Sequence, residues 1–203
     1  MPETADKATF ITRNLLLSPT PFLPEIKLFT AHPGSRLSRI GGSAPYWAYG
    51  WAGGAALARY VLDSEIARGV GVLDFGAGSG LVGIAAALAG AAIVWAEDPD
   101  PWARAAVTVN ARANGVKLLF DASAAPDLIL CGDVFYSAEV AAVVLPRLDA
   151  FRAGGARVLV GDPGRANLPR DLLIKKAEVA VRDMGDGPGK TVLTGIYDYR
   201  PDL

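Results

Sequence analysis

VLDFGAGSGLVG, Val72 to Gly83, reads as a buried strand, a glycine turn and the start of a helix. Glycine lets a backbone approach a bound nucleotide without interference from Cβ, so a cofactor is expected across this turn. Two fingerprints overlap on it. Gly78, Gly80 and Gly83 spell the G-x-G-x-x-G of dinucleotide enzymes, whereas Asp74, Gly76, Gly78 and Gly80 spell D-x-G-x-G-x-G, and the glycines alone do not choose between them. Around this turn the hydrophobic pattern predicts strands at Val70–Phe75, Ala92–Glu97, Val116–Phe120, Asp127–Gly132 and Arg157–Gly161. Helices are expected between them at Leu81–Ala89, Pro101–Asn114 and Ala138–Phe151. Pro101 at a first helical position and Gly90 and Gly115 just past helix ends are the expected punctuation. Strands alternating with helices mean a parallel sheet.

Beyond Pro169 the pattern gives a short helix, a strand near Glu178–Arg182, a turn at Gly185–Gly189 and a last strand near Thr191–Tyr199. With no crossover helix between them, these two strands should form an antiparallel hairpin. The expected fold is therefore α/β: a Rossmann-like sheet of seven strands, mostly parallel, ending in an antiparallel hairpin, which is the layout of SAM-dependent methyltransferases. On the N-terminal side, Gly53–Leu62 has helical spacing, and Glu25–Ala31 and Ser35–Ile40 flank His32-Pro33-Gly34-Ser35 as a short hairpin. Residues 1–44 are read as an extension carrying that hairpin, and 45–203 as the main domain.

A chain of 203 residues that is 51% hydrophobic can bury one good core. Its 20 Lys+Arg against 21 Asp+Glu leave no charge excess to favour a polyanion, so nucleic acid is not an expected partner. Cys131, the only cysteine, sits in an apolar run and reads as a small buried hydrophobe in a reducing, cytoplasmic compartment. No apolar stretch escapes Gly, Pro or charge long enough to span a bilayer. His32 has no Cys, His or carboxylate cluster around it in sequence, so no metal site is expected. With no long apolar surface helix left over, a monomer is expected.

The residues beside the glycines favour one cofactor. A carboxylate at Asp74 would repel a pyrophosphate but suits an ammonium, which the methionine end of S-adenosylmethionine (SAM) carries. Asp98 ends the second strand, where a carboxylate accepts both ribose hydroxyls. A dehydrogenase would need a substrate domain that so short a chain does not offer, and Tyr136 is not followed four residues later by lysine.

Three further segments, Pro45–Asp63 (PYWAYGWAGGAALARYVLD), Gly132–Tyr136 (GDVFY) and Gly161–Arg165 (GDPGR), make the chain resemble the electron-transfer-flavoprotein β-subunit lysine methyltransferase family. The likeness runs from about Pro45 to the C-terminus. It implies that Asp74, Gly76, Gly78 and Gly80 line the methionine and ribose of SAM, that Asp98 holds the ribose hydroxyls, that Trp51 packs near the adenosyl group and that Asp121 faces the adenine edge. The D-x-x-Y motif, Asp133 to Tyr136, shapes the slot for the target lysine in that family, and the implied protein substrate is the flavoprotein β subunit. Asp133 would orient the amine and Tyr136 would wall the slot; a helix-capping turn with Ser137 is the bland alternative. Arg165 would contact an acidic patch of the partner, or lie on a solvated loop. Two positions depart from the family pattern: Tyr46 stands in place of phenylalanine and Ala52 in place of proline, which leaves substrate choice less fixed than cofactor. A small-molecule methyltransferase and a non-catalytic SAM-binding adaptor are the competing functions.

Overall fold

The computed structural model describes residues 4–41, 44–122, 124–182 and 191–200. The strand that leads into the glycine turn, β3 (Gly71–Phe75), is buried along its whole length. Successive side chains leave a strand on opposite faces, so Val72 joins one apolar cluster while Leu73 and Phe75 join another. The same sorting runs through β5 (Leu128–Gly132), with Leu128 and Leu130 on one side and Ile129 and Cys131 on the other. It recurs in β6 (Arg157–Asp162), where Leu159 faces away from Val158 and Val160. Apolar runs covered on both faces are what parallel strands require.

With β4 (Ile93–Glu97), β7 (Leu173–Arg182) and β8 (Thr191–Tyr199), the sheet has the order β4-β3-β5-β6-β8-β7. Strands β4, β3, β5 and β6 run parallel, and β8 is antiparallel to both β6 and β7. The C-terminal hairpin is thus as expected; its turn at Gly185–Gly189 lies outside the described residues. Helices α2 (Ala52–Leu62) and α3 (Leu81–Leu88) bury their apolar sides in the first cluster, α4 (Pro101–Ala113) gives Val107 and Ala111 to that cluster and Ala103, Ala105 and Ala106 to a third one with Ile11 and Trp47, and α5 (Ala138–Ala153) buries Ala141, Val144 and Leu148 in the second. Asp100 caps α4 by accepting from Trp102 N at 2.8 Å, and Ser137 caps α5 by accepting from Val140 N at 3.2 Å. The short helix after Pro169 is a single 3-10 turn, Arg170–Leu172. Among the described residues no helix is long and apolar enough to cross a membrane.

Two expectations are corrected. The strand expected over Val116–Phe120 is one bridge, Leu119 beside Trp95, made by Leu119 N to Val94 O (2.9 Å) and Ala96 N to Leu119 O (2.7 Å). Val116 N is already spent on Ala111 O at the end of α4, and the chain bends at Phe120, so one residue remains to pair. The sheet therefore has six strands plus this bridge at its seventh position.

The hairpin expected around His32–Ser35 forms earlier, between β1 (Leu16–Thr20) and β2 (Leu23–Thr30), and a helix α1 (Thr4–Asn14) precedes it. Its turn is Pro21-Phe22, with Phe22 at φ +64°. Residues 35–40 form no strand because the His32–Ser35 turn closes on itself: Ser35 Oγ accepts from His32 N (2.7 Å) and His32 Nδ1 accepts from Gly34 N (3.1 Å). Asn110 of α4 and Asn114 at its C-cap, one helical turn apart, bond to the backbone of β2. Asn114 bonds both Lys27 N (2.9 Å) and Lys27 O (2.7 Å), and Asn110 accepts from Phe29 N (2.8 Å). Leu23, Ile26 and Leu28 of β2 are fully buried in the same cluster as α2 and α3.

Candidate functional site

The chain goes outward from β3 to β4 and then returns to β5 on the other side, so a crevice opens at the carboxyl ends of β3 and β5. Gly76, Gly78 and Gly80 all have positive φ, which a side chain would resist. Gly76 N and Ala77 N donate to Glu97 O, tying the loop to the end of β4. Gly78 N donates to Asp98 Oδ2 and Asp100 N to Asp98 Oδ1, each at 2.9 Å. Burial raises the Asp98 carboxyl above its usual range, opposed by those two bonds.

Asp74 is buried below the loop and its Oδ2 accepts from Gly83 N at 2.8 Å. Burial pushes its pKa up to about 8, with the Gly83 bond opposing and the Asp98 charge adding. A carboxyl group so placed is neutral at pH 7 until a cation arrives to favour its charged form. Asp74, Gly76 and Gly78 share one cleft with Tyr49, Trp51 and Gly132. Asp121 stands apart from them, exposed in the bend after the Leu119 bridge.

Asp133 follows β5 at φ +57° and is 7% exposed. Its surroundings depend on four glycines from three segments, Gly53 and Gly54 of α2, Gly132 of β5 and Gly161 of β6. A Cβ on Gly53 would strike Gly161 O and the Asp133 carboxylate, and one on Gly132 would strike the backbone of Gly54. With those atoms absent, the first turn of α2 lies against the sheet and Gly54 N donates to Asp133 Oδ2 at 3.0 Å, a use for a helix N-terminal N–H that has no partner inside the helix. The other oxygen, Oδ1, accepts from Arg165 Nε (2.9 Å) and Nη2 (2.6 Å). Arg165 is held in turn by Asp162, whose Oδ1 accepts from Gly164 N and Arg165 N, both at 2.7 Å. The expectation that Arg165 reaches an acidic patch of a partner or lies solvated is therefore corrected, because the guanidinium is turned inward onto Asp133. Burial pushes the Asp133 pKa up to about 6, and the Arg165 charge and hydrogen bonds hold it from rising further. It is ionised at neutral pH.

A cluster of aromatic rings reaches this pair through Trp51. Tyr46 lies 5.2 Å from Tyr136 and 5.7 Å from Trp51, and Tyr49 lies 5.5 Å from Trp51, centroid to centroid. Trp51 Nε1 donates to Tyr46 O (2.8 Å), and the Arg165 guanidinium sits 6.0 Å from the Trp51 ring. Tyr46 and Tyr136 are about half exposed and form the rim. The structure thus brings Trp51, Asp133 and Tyr136 together and adds Tyr46, Tyr49, Gly53, Gly54 and Arg165, which the sequence did not assign to one place. The dense aromatics of Tyr46–Trp51 were the available signal.

A parallel sheet closed by an antiparallel hairpin, with D-x-G-x-G-x-G after its central strand and a carboxylate ending the next, defines a SAM-dependent methyltransferase of the Rossmann-like class. Among solved structures the chain shares this fold with the precorrin-6y C5,15-methyltransferase of Geobacter metallireducens (TM-score 0.50, 15% identity, covering 70% of this chain and 87% of that one). Residues 54–145 match the ribosomal protein L11 methyltransferase (PrmA) family. Sequence similarity is higher to the electron transfer flavoprotein beta subunit lysine methyltransferase of Rattus norvegicus, 44% identical over 78% of this chain and 68% of that protein. The protein of the same name from Xenopus laevis is 40% identical over 78% of this chain and 70% of its own length. The chain belongs to the electron transfer flavoprotein beta subunit lysine methyltransferase family.

Proposed function

We propose that this protein transfers a methyl group from SAM to the side-chain amine of lysine on the β subunit of electron transfer flavoprotein. The observation that carries the reading is a buried, ionised carboxylate, Asp133, held by Arg165 beside the cluster of Tyr46, Trp51 and Tyr136 at the edge of the cofactor cleft. The cleft fits SAM: its glycines leave room for a backbone-hugging ligand, and Asp74 is a carboxyl group in need of a cation, which the methionine ammonium provides. In this assignment Asp74, Gly76, Gly78 and Gly80 line the methionine and ribose, Asp98 accepts from the ribose hydroxyls, Trp51 packs near the adenosyl group, and Asp121 serves the adenine edge.

When bound, SAM supplies a methyl group on an already activated sulfonium, so the protein's task is alignment of the nucleophile. The amine must be neutral, and near pH 7.4 deprotonating a free lysine of pKa ~10.4 costs about 4 kcal/mol. The aromatic walls desolvate the ammonium and lower that cost. An ionised carboxylate offers about four acceptor positions. Arg165 and Gly54 occupy three on Asp133, so the one remaining orients the amine lone pair. The lysine ammonium first gives one proton to water; the neutral nitrogen then takes the methyl and becomes cationic, a charge that the rings favour.

The test is incubation of the purified protein with tritiated SAM and recombinant flavoprotein β subunit, with the label located by gel and mass spectrometry. Mass added on lysine of the β subunit is the expected result. Label confined to extractable metabolites, when a lysate of cells lacking the enzyme is supplied instead, overturns the protein-substrate reading.

A further inference from the structure

Tyr49 belongs to two concavities. With Trp51 it lines the cofactor cleft, and with Ala31, His32, Ser35, Arg36 and Ser38 it also walls a groove of about 410 Å³. The loop that forms this groove is fixed. Ser35 is 1% exposed and accepts from His32 N. His32 Nδ1 accepts from Gly34 N at 3.1 Å, and its Nε2 lies 3.1 Å from Asn14 O, which anchors the ring to the end of α1. Arg36 is held at φ +55°, a region that residues other than glycine seldom occupy. Its guanidinium and that of Arg39, in the adjoining 3-10 turn, have no hydrogen bond or ion pair among the described residues.

The charge pattern says what such a groove accepts. Between Glu25 and Asp63 the sequence contains no aspartate or glutamate, although the whole chain is almost neutral. Of the four cations in that interval, Arg59 is paired with both Glu25 and Asp63, Lys27 lies on β2 outside the groove lining, and Arg36 and Arg39 are uncompensated among the described residues. We infer that the groove beside Tyr49 docks an acidic segment of the protein substrate next to its target lysine, with Arg36 paired to a substrate carboxylate. The inference rests on the lysine-methyltransferase reading: Tyr49 borders both the groove and the cofactor cleft, and its ring lies 5.5 Å from Trp51, which lies 5.7 Å from Tyr46 at the rim of the proposed lysine slot. An arginine suits this role because its planar fork matches a carboxylate, and a pair at the rim sets substrate choice more than catalytic rate.

The test uses the full chain with three probes: flavoprotein β subunit as methyl acceptor, fluorescein-labelled hexaglutamate and labelled octauridylate. For Arg36→Glu, KM for the β subunit should rise about tenfold while kcat and SAM affinity stay within about twofold, as expected when a pair becomes a like-charge contact. Arg112→Glu, an exposed change on α4, should leave all three unchanged. Hexaglutamate should bind the wild type, compete with the β subunit and lose both properties with Arg36→Glu. An unchanged KM in Arg36→Glu overturns the proposal, as does octauridylate binding more tightly than hexaglutamate, which would make the loop a nucleic-acid contact. If the wild type methylates no β subunit but binds hexaglutamate through Arg36, the function assignment fails and the acidic-ligand groove stands.

Discussion

The proposed cofactor side and the proposed substrate side of this site lie at neighbouring strand ends but are built differently. The cofactor side is nearly local: Asp74, Gly76, Gly78, Gly80 and Asp98 come from two consecutive strands and their turns, braced by Gly83 N to Asp74 and Gly78 N to Asp98. The proposed substrate side is assembled from three stretches, Tyr46–Gly54, Asp133–Tyr136 and Gly161–Arg165, and each holds another by a side chain or a missing Cβ. A local site tolerates change elsewhere in the chain. An assembled one depends on every piece, and so offers more positions at which substrate preference can be altered without touching the cofactor.

The largest separation of the two sides should come from Asp133→Ala. Methyl transfer should fall by at least about a hundredfold, as for loss of a group that orients the nucleophile, while SAM affinity by calorimetry stays within a few-fold. Loss of SAM binding instead would move Asp133 to the cofactor side and erase the distinction. The mirror change, Asp74→Asn, should weaken SAM by roughly tenfold to a hundredfold, the scale of one charge-assisted contact, and leave KM for the protein substrate unaltered.

Gly53→Ala strikes the seam between the sides. Its Cβ meets the Gly161 carbonyl and the Asp133 carboxylate, so overpacking of about 1–3 kcal/mol is expected, seen as a melting temperature lower by several degrees together with reduced turnover.

A pH experiment separates the sides by protons. Asp74, raised to about 8, keeps in the folded cofactor-free protein a proton that the unfolded chain has lost. The folded state then binds more protons than the unfolded one, so its stability should fall as pH rises from about 4 toward 8. SAM binding favours the charged carboxylate, so below pH 8 it should release a proton, and affinity should rise between pH 6 and 8. Calorimetry in buffers of different ionisation enthalpy reads the release, which Asp74→Asn should abolish and Asp133→Asn should not. On the substrate side, Arg165→Ala should move the acid limb of the kcat profile upward from about 6, because the charge and hydrogen bonds that restrain the Asp133 pKa are gone; Arg165→Lys should recover part of the shift.

The smallest effect should be Tyr46→Phe. The ring contacts to Trp51 and Tyr136 persist and the bond from Trp51 goes to the Tyr46 backbone carbonyl, so activity within about twofold is expected. Tyr46→Ala, which removes the wall, should cost far more.

Much of the fold was legible because its signals are local. β3, β4, β5 and β6 are apolar runs bounded by turn residues, and α4 and α5 begin at side-chain caps the sequence displays. The hairpin was misplaced because proline marks both Pro21 and Pro33. Only the close bonding of His32, Gly34 and Ser35, and the asparagines of α4 along β2, decide which turn joins strands. The stretch Val116–Phe120 has strand-like composition, yet the cap of α4 captures its first residue. Arg165 looked like a surface turn residue, since nothing in GDPGR records that Asp133, 32 positions earlier, lies 2.6 Å away.

The pairing of Asp133 and Tyr136 was implied by the family resemblance; the sequence by itself determined the sheet of parallel strands, the glycine turn, and Asp74 and Asp98 at its sides. These follow from periodicity and spacing within a few residues, where the backbone leaves little choice. The tertiary structure alone decided that α2 presses its glycines on β5 and β6, that Arg165 restrains the charge of Asp133, and that Tyr46, Trp51 and Tyr136 form one wall. Those contacts depend on which strand ends come to lie side by side, and that is set by packing of the whole core.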